Sequence, residues 1–415
     1  MRTEFNEIGR RSLAALVIMA GAGVAVPAVA EDVEVIHWLH TGSESAAIQH
    51  VANAVEARGS TWVEIVPPDG VSGANALFTS RIAGGNPPGA MFGSIGKQAI
   101  DLGEQGLMRN IRPLADAENL IATVPQFALD IVSSQDGELY AIPLAFETQN
   151  FMWYSIPAFE KAGLQPPSNW GEFLEQAPVL QEAGIIPIAV GAQAWQMRIL
   201  HFSILAAEIG QSDFMDLYLR KDESVAKGDG VHNSFRILRE LSQMADAGNA
   251  NRAWNDTLGL IADDRAAIFV MGSWAGGELA AMGEVYGTDW GCSIAGGDTW
   301  VVGATGFMIP DLGRESSGQD DFIRTILDPA VQTAFSIEKG SIPSRTDADT
   351  SQLSKCSQMV SAGMVEGRGV PNANSMVSGD AQGQIGDLLM NFWSDQSVSP
   401  EDAASDFARI VLNDY

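Results

Sequence analysis

The sequence has 415 residues, of which 46% are hydrophobic and 18% are charged, and its formal net charge is −28. This composition is typical of a globular protein. The chain is longer than most domains with a single hydrophobic core, so two lobes are expected. The strong negative charge argues against nucleic acid and anionic membrane surfaces as partners.

Residues 1–30 have the composition of an export signal. Three arginines stand within residues 1–11, residues 13–26 are apolar and rich in small side chains, and an Ala-x-Ala cleavage site ends at Ala30. The apolar run is too short and too rich in Gly and Ala for a strong spanning helix, and no later stretch is long and apolar enough. The sequence therefore predicts a soluble protein exported to the periplasm.

The mature chain opens with alternating strands and helices. Strand patterns occupy residues 33–39, 62–66 and 90–92, and helix patterns occupy residues 47–55 and 75–83. Thr41 and Glu44 have the spacing of a capping box at the start of the first helix. This rhythm is typical of a parallel α/β lobe, in which ligands bind where strands end and helices begin.

Residues 140–154 contain two apolar extended runs with a polar centre. The runs, 140–146 and 151–154, are rich in aromatic and β-compatible residues, and residues 147–150 between them are all polar. Pro143 argues against a central ladder position for the first run. The pattern fits a surface turn, and it also fits a strand that crosses between two lobes with its polar residues facing a cleft.

The α/β pattern continues in the second half of the chain. Helices are predicted at residues 155–162, 170–182, 195–210 and 234–247, and strands at residues 185–190 and 266–271. An α/β rhythm on both sides of residue 147 supports two lobes of the same class.

Sequence signals for catalysis and for metal binding are missing. The chain has no G-x-S-x-G elbow, no GxxxxGK[ST] phosphate loop, no GxGxxG after a strand and no H-E-x-x-H. His37 and His40 lie near a strand end at a spacing that points them in different directions, so neither a metal nor a cofactor is predicted. Cys292 and Cys356 either form a disulfide, which export permits, or stay as buried free thiols.

Four tryptophans stand beside polar or glycine-containing breaks: Trp38, Trp195, Trp254 and Trp274. Aromatic faces stack on the C–H surfaces of sugar rings, while neighbouring polar groups bind the hydroxyls. The alternative for each tryptophan is a place in the hydrophobic core.

Six segments resemble one family: residues 37–44, 83–90, 140–154, 254–276, 339–347 and 391–393. Over residues 34–410 the chain resembles the extracellular solute-binding proteins of carbohydrate ABC importers, and within them the glucose/mannose-type branch. The resemblance implies an α/β periplasmic-binding-protein fold of type II, maltose-binding-protein-like, with the ligand cleft between two lobes. Lobe 1 is then expected at 31–146 plus 304–343, and lobe 2 at 147–303 plus 344–415.

The function implied by the resemblance is transport rather than catalysis. A monomeric binding protein would capture a sugar or sugar-like solute and deliver it to a membrane permease that works with a separate ATPase. A ligand-presenting protein for a chemoreceptor or sensor kinase is an alternative with the same fold and pocket. An exported carbohydrate-active enzyme is a further alternative, with Glu44 and Glu147 as the candidate carboxylate pair.

The resemblance also implies roles in the cleft. Trp38, Trp254 and Trp274 would stack on the ligand, Glu44 would accept hydroxyl groups, and Lys339 would bind there or serve the hinge. The complete set of predicted ligand-binding residues is Trp38, His40, Glu44, Ser94, Glu147, Trp195, Arg198, Trp254, Asn255, Ser273, Trp274 and Asn374.

Several positions depart from the branch pattern: Leu39, Ser94, Glu147, Ser273 and Asn374 replace a tryptophan or polar groups that bind glucose. When a binding site lacks the side chains that hydrogen-bond the buried hydroxyl groups of a sugar, its affinity for that sugar falls strongly. Glucose is therefore not the expected ligand. The carboxylates of Glu44 and Glu147 together favour a ligand rich in donors, such as another hexose, a polyol, an amino sugar or a short oligosaccharide. Arg198 pairs with Glu147, contacts the ligand or lies on a solvated helix face.

Overall fold

The computed structural model describes residues 31–414, and strands alternate with helices from its start. The strands are β1 Asp32–Ile36, β2 Thr61–Ile65, β3 Ala90–Ser94, β4 Ala141–Thr148, β5 Phe151–Ser155, β6 Ile186–Ala189, β7 Ala266–Met271, β8 Trp290–Ile294, β9 Trp300–Met308, β10 Ile342–Pro343 and β11 Gly369–Pro371. The helices are α1 Gly42–Ala57, α2 Gly70–Ala83, α3 Lys97–Glu104, α4 Arg112–Ala117, α5 Gln126–Asp130, α6 Ile156–Ala162, α7 Trp170–Glu182, α8 Ala194–Leu219, α9 Glu223–Ala226, α10 Asp229–Met244, α11 Trp254–Ala262, α12 Trp274–Ala281, α13 Ser317–Ile326, α14 Pro329–Lys339, α15 Lys355–Val365, α16 Ala373–Met376, α17 Gly379–Ser394 and α18 Pro400–Leu412.

The larger sheet contains the N-terminal strands. Its order is β10-β4-β9-β3-β1-β2, and β11 pairs with β9. Strand β1 lies parallel to both β2 and β3, with α1 and α2 as the connecting helices, so the predicted parallel α/β arrangement is confirmed. Strand β9 runs antiparallel to β3 and β4 and completes the middle of the sheet.

The smaller sheet has the order β6-β7-β5-β8. Strands β6 and β7 are parallel, and β5 is antiparallel to both of its neighbours. All six residues of β7 are buried, as expected for a strand covered on both faces. Trp153 and Trp170 are among the largest fully buried side chains of the chain, so these two tryptophans are core residues.

The polar centre of residues 140–154 is a crossing between the two sheets. Strand β4 belongs to the larger sheet and β5 to the smaller one, and only Gln149 and Asn150 separate them. The return crossing lies between Ile294 and Trp300. The Asn150 side chain ties the crossings together, because it donates to the Thr299 carbonyl (2.8 Å) and accepts from the Val301 amide (2.9 Å).

The crossing interpretation is therefore confirmed, and the surface-turn alternative is wrong. Within the larger sheet, residues 147–148 of β4 pair with residues 302–303 of β9, and β11 pairs with residues 300–302 of β9. The division of the chain into lobe 1 at 31–146 plus 304–343 and lobe 2 at 147–303 plus 344–415 stays a prediction.

Pro143 interrupts the ladder as its missing N–H requires. The register between β4 and β9 shifts between Pro143 and Ala145, and β10 pairs only with Ala145 and Phe146. The Pro143 carbonyl instead accepts hydrogen bonds from Ser344 Oγ (2.8 Å) and Gln332 Nε2 (3.3 Å). The strand thus lies in the sheet interior, with a local irregularity at the proline.

The capping box predicted for α1 is not formed. Thr41 occupies the N-cap position, but its side chain makes no capping hydrogen bond and its hydroxyl has no partner. The Glu278 carboxylate of α12 accepts from the Ser43 amide (3.0 Å) and hydroxyl (2.9 Å) instead. The cap of α1 therefore comes from the element that follows β7 of the other sheet, so charge-assisted hydrogen bonds join helices associated with the two sheets.

The predicted end of the helix at 195–210 corresponds to a break within α8. Gly210 has φ 70° and ψ 177°, a backbone conformation that favours glycine, and the helical hydrogen-bonding pattern resumes up to Leu219. The proposed export signal, residues 1–30, lies outside the described residues. Within residues 31–414, no helix combines the length and apolar character needed to cross a membrane.

Candidate functional site

A cleft with a volume of about 1900 Å³ lies where elements of both sheets meet. It is lined from the larger sheet by residues that follow β1 and β3, and from the other side by the first residues of α8, α11 and α12. Strand ends and helix starts are where ligands bind in α/β proteins. All predicted ligand-binding residues except Ser273 line this cleft: Trp38, His40, Glu44, Ser94, Glu147, Trp195, Arg198, Trp254, Asn255, Trp274 and Asn374.

A buried ionic triad forms part of the cleft wall. Lys339 Nζ donates a hydrogen bond to Glu44 Oε1 at 3.2 Å and lies 3.4 Å from Glu147 Oε1. All three side chains are at most 6% exposed, so water screens these charges weakly. Apart from this ion pair, Glu147 Oε1 accepts no well-aligned hydrogen bond from residues 31–414, although it is buried and its residue lines the cleft.

The triad has one positive and two negative formal charges, and its environment changes the proton affinity of Glu147 and Lys339. Burial raises the pKa of the Glu147 carboxyl, against the attraction of Lys339. Burial opposes the charge of Lys339, but the carboxylates of Glu147 and Glu44 outweigh it and raise the pKa of the ammonium group. The lysine therefore stays charged between its two acids.

Tryptophan side chains are present on both sides of the cleft. Trp38 packs edge-on against Phe92 with ring centroids 5.3 Å apart, next to β3. Trp195 and Trp274 are 6.5 Å apart across the start of α8 and α12, and Lys339 Nζ lies 5.0 Å from the Trp274 ring centre. These rings line the cleft, whereas Trp153 and Trp170 fill the core.

Ser273 does not line the cleft. It is 3% exposed, its amide donates to the Thr148 carbonyl at 2.7 Å, and its hydroxyl has no partner. It connects the end of β4 to the start of α12, beside the crossing between the sheets. The structure therefore places Ser273 next to the ligand-binding set rather than in it.

Arg198 and Glu147 do not form the pair that the sequence left open. Lys339 is the cation at Glu147, while Arg198 Nε donates to Asn374 Oδ1 at 3.1 Å and its Nη1 to the Gln382 carbonyl at 3.4 Å. The residue is half-buried, and this burial lowers the pKa of Arg198. Arg198 is therefore held by neutral hydrogen-bond partners at the cleft, and its contact with the ligand stays a prediction.

Sequence reasoning missed several residues that line the cleft. Gln149 lies in the polar centre of the crossing, and Trp393 lies in a segment that carried the family resemblance, yet neither was assigned to the ligand. Trp393 Nε1 donates to Asn249 Oδ1 at 3.1 Å, and both residues line the cleft. The same test of aromatic residues beside polar neighbours would have found Trp393.

Cys292 and Cys356 form a disulfide between β8 and α15. This settles the alternative between pairing and free thiols. His40 is exposed, and its Nδ1–H donates to the Trp38 carbonyl at 2.7 Å. Across residues 31–414, no three His, Cys, Asp or Glu side chains are grouped to hold a metal ion.

Comparison with known sequences identifies relatives over most of the chain. A family model for the bacterial extracellular solute-binding protein matches residues 43–330. A "probable sugar-binding periplasmic protein" of Rhizobium meliloti (strain 1021) is 30% identical over 353 residues, which cover 83% of each protein. A protein of the same description from Brucella melitensis biotype 1 is 28% identical over 359 residues, covering 85% of this chain and 84% of the other.

Comparison with solved structures supports the fold. A chitin oligosaccharide binding protein superposes with a TM-score of 0.77 over 92% of this chain and 98% of its own, at 16% sequence identity. At that identity the likeness concerns the fold alone. It confirms the predicted two-lobe α/β architecture of the maltose-binding-protein type.

Proposed function

Because this chain belongs to the bacterial extracellular solute-binding protein family, we propose that it captures a carbohydrate in its cleft and delivers it to the permease of an ABC importer. The observation that carries the proposal is the combination of tryptophan faces with buried carboxylates in one cleft. Indole rings stack on the apolar face of a sugar, and charged acceptors bind its hydroxyl groups. The relatives described as sugar-binding proteins support the same ligand class.

Trp38 on one side and Trp195 with Trp274 on the other provide the stacking surfaces of the proposed site. Glu147 Oε1 provides the acceptor, since this buried carboxylate oxygen has the Lys339 ammonium at 3.4 Å but no well-aligned hydrogen bond, and it gains from a ligand donor. Glu44 is already bonded to Lys339 and accepts further donors through its remaining lone pairs. The ligand is therefore rich in hydroxyl or ammonium donors: a hexose other than glucose, a polyol, an amino sugar or a short oligosaccharide.

The proposed partners follow from this role. A binding protein presents its ligand to a membrane permease, and a separate ATPase supplies the energy, since the sequence has no phosphate loop. The protein works as a monomer in the periplasm after removal of residues 1–30. The relatives' descriptions do not favour a sensory role or an enzyme.

A thermal-shift screen with mono-, di- and amino sugars and polyols tests the ligand class. A ligand at about 100 times its Kd should stabilise the folded protein by about 2.7 kcal/mol and raise Tm accordingly. A panel without any shift would overturn the carbohydrate assignment.

Calorimetry on the ligand identified by the screen tests the tryptophans. Trp38→Leu should weaken binding roughly tenfold, because it removes a stacking face. Trp62→Leu is the matched control, since Trp62 stacks on Phe322 outside the cleft. Equal effects of the two substitutions would contradict a stacking role for Trp38.

A further inference from the structure

Arg198 differs from the other cations of the cleft in its partners. Lys339 has two carboxylates within 3.4 Å, and Lys97 forms an ion pair with Asp101 at 2.9 Å. Among residues 31–414, the Arg198 guanidinium donates hydrogen bonds to a side-chain amide oxygen and a backbone carbonyl. Within residues 31–414, no Asp or Glu oxygen lies within ion-pair distance of its guanidinium, although the full sequence contains 52 acidic residues.

The neutral contacts hold the guanidinium in a fixed place. Nε and Nη1 bind Asn374 and the Gln382 carbonyl, and Nη2 has no partner among the described residues. Gly386 of α17 leaves room for the group, since a Cβ at that position would lie 3.1 Å from Nη1. Arg198 is thus a fork of donors positioned by α8, α16 and α17, with free donor capacity.

A buried charge without a counter-charge costs free energy unless something compensates it. Arg239 shows how the protein compensates another partly buried arginine: its guanidinium lies 3.9 Å above the Phe392 ring, and it donates to two backbone carbonyls. In the described part of the chain, no aromatic ring lies over the Arg198 guanidinium in this way. Arg198 lines the cleft, where a bound ligand could provide the negative charge that the surrounding residues do not provide.

The position of Arg198 relative to the tryptophans also favours a ligand contact. Trp195 is three residues earlier on α8, and residues with this spacing share a helix face. Trp274 is 6.5 Å from Trp195, and Lys339 of the triad lies over Trp274. The tryptophan pair therefore has Lys339 of the triad over Trp274, and Arg198 about one helical turn along α8 from Trp195.

We propose that Arg198 binds an anionic substituent of the ligand, so that the captured carbohydrate is an acidic sugar. This inference rests on the proposed function and narrows its ligand class. A guanidinium fork matches a carboxylate or a phosphate in geometry, so either anionic group could make the proposed contact. The hydroxyl groups of the same ligand reach Glu147, and its ring lies against the tryptophans. The chain's net charge of −28 does not forbid an anion, because salt screens distant surface charges within about 8 Å.

Calorimetry with matched sugars tests the proposal on the full mature protein. The ligand sets are galactose, galacturonate and galactose 6-phosphate, and the corresponding glucose series. The acidic member of a set should bind at least about tenfold tighter than its neutral counterpart, the value expected for one charge-assisted contact. Tightest binding of the uronate would indicate that the site prefers a carboxylate, and tightest binding of the 6-phosphate would indicate that it prefers a phosphate.

Two arginine variants test whether Arg198 causes the preference for the acidic sugar. Arg198→Gln should remove the preference for the acidic sugar while neutral-sugar affinity changes much less. Arg239→Gln is the matched control, because it removes the same charge from a position outside the cleft and should keep the preference. If Arg198→Gln does not fold, Arg198→Lys is the substitute variant, because it keeps the charge but loses the planar donor fork. The comparison of acidic and neutral sugars on the wild-type protein tests the preference for an anion without any variant.

Each outcome is informative. Equal binding of neutral and acidic sugars, or preference for the neutral form, would overturn this inference and leave the proposed function standing. A preference that survives Arg198→Gln would also overturn it, because another group would then bind the anion. Absence of binding by any sugar would overturn the proposed function, and the inference with it.

Discussion

Replacing Lys339 by methionine tests whether one cation holds the buried triad of the cleft together. Its Nζ lies 3.2 Å from Glu44 Oε1 and 3.4 Å from Glu147 Oε1, and all three side chains are nearly inaccessible to solvent. Without the lysine, two carboxylates would stay buried with no counter-charge. Removal of one partner from a buried ion pair costs about 3–5 kcal/mol, so Lys339→Met should lower the free energy of unfolding by about that amount.

Glu147→Gln is the matched variant, because it removes an opposite charge from the same triad and keeps the side-chain size. Lys339 and Glu44 would remain as a balanced pair, so the free energy of unfolding should change by less than about 1 kcal/mol near pH 5. Burial raises the pKa of Glu147 in the folded protein. A group with a raised pKa stabilises the fold at low pH and loses that contribution as pH rises through the folded pKa. The variant should therefore become more stable relative to the wild type as pH rises from about 5 to about 8.

Urea unfolding at the two pH values measures both effects, with the slope m as a check that the extent of unfolding is unchanged. The raised pKa of Lys339 keeps the ammonium group charged throughout this range, so the lysine itself contributes no pH dependence there. A cost below about 1 kcal/mol for Lys339→Met would refute the argument. An equal loss of unfolding free energy in Lys339→Met and Glu147→Gln would also refute it, because only the loss of the lysine leaves the buried carboxylates without a counter-charge.

Three further predictions concern stability. Reduction of the Cys292–Cys356 disulfide, whose cysteines are 64 residues apart, should lower the free energy of unfolding by about 4 kcal/mol, and an unchanged urea midpoint with reductant would contradict this. Burial lowers the pKa of His201 from 6.5 to about 3, so the wild type should lose up to about 4 kcal/mol as pH falls between these values. His201→Phe should lose less in acid urea titrations, and an identical acid loss would refute the assignment. Glu278→Ala should cost about 1–2 kcal/mol, because the carboxylate caps α1 through Ser43, and calorimetric melting without a fall in Tm would count against it.

Elements with strong local signals could be predicted from the sequence with accurate bounds. Helix α7 begins and ends where predicted, and Asn169 at its N-cap accepts from the Glu172 amide. Strand β7 also matches, because its six apolar residues are buried together. In both cases the information lies within a few neighbouring residues.

Elements that depend on distant partners could not be predicted in this way. Strand β10 has two residues and exists only because Ile342 and Pro343 pair with β4. The capping box at Thr41 failed for the same reason, since Glu278 from another element supplies the cap and Glu44 bonds to Lys339. Long-range packing overrides a local preference when it offers a stronger partner.

The sequence by itself determined the family, the two-lobe α/β fold and part of the cleft lining, because strand ends, helix starts and tryptophan placement are local features of the chain. Only the tertiary structure decided which charges meet. Lys339 and Glu44 are 295 residues apart, and their contact depends on how α14 packs against α1. For that reason Lys339 rather than Arg198 neutralises Glu147, and Arg198 is left in the cleft with neutral partners.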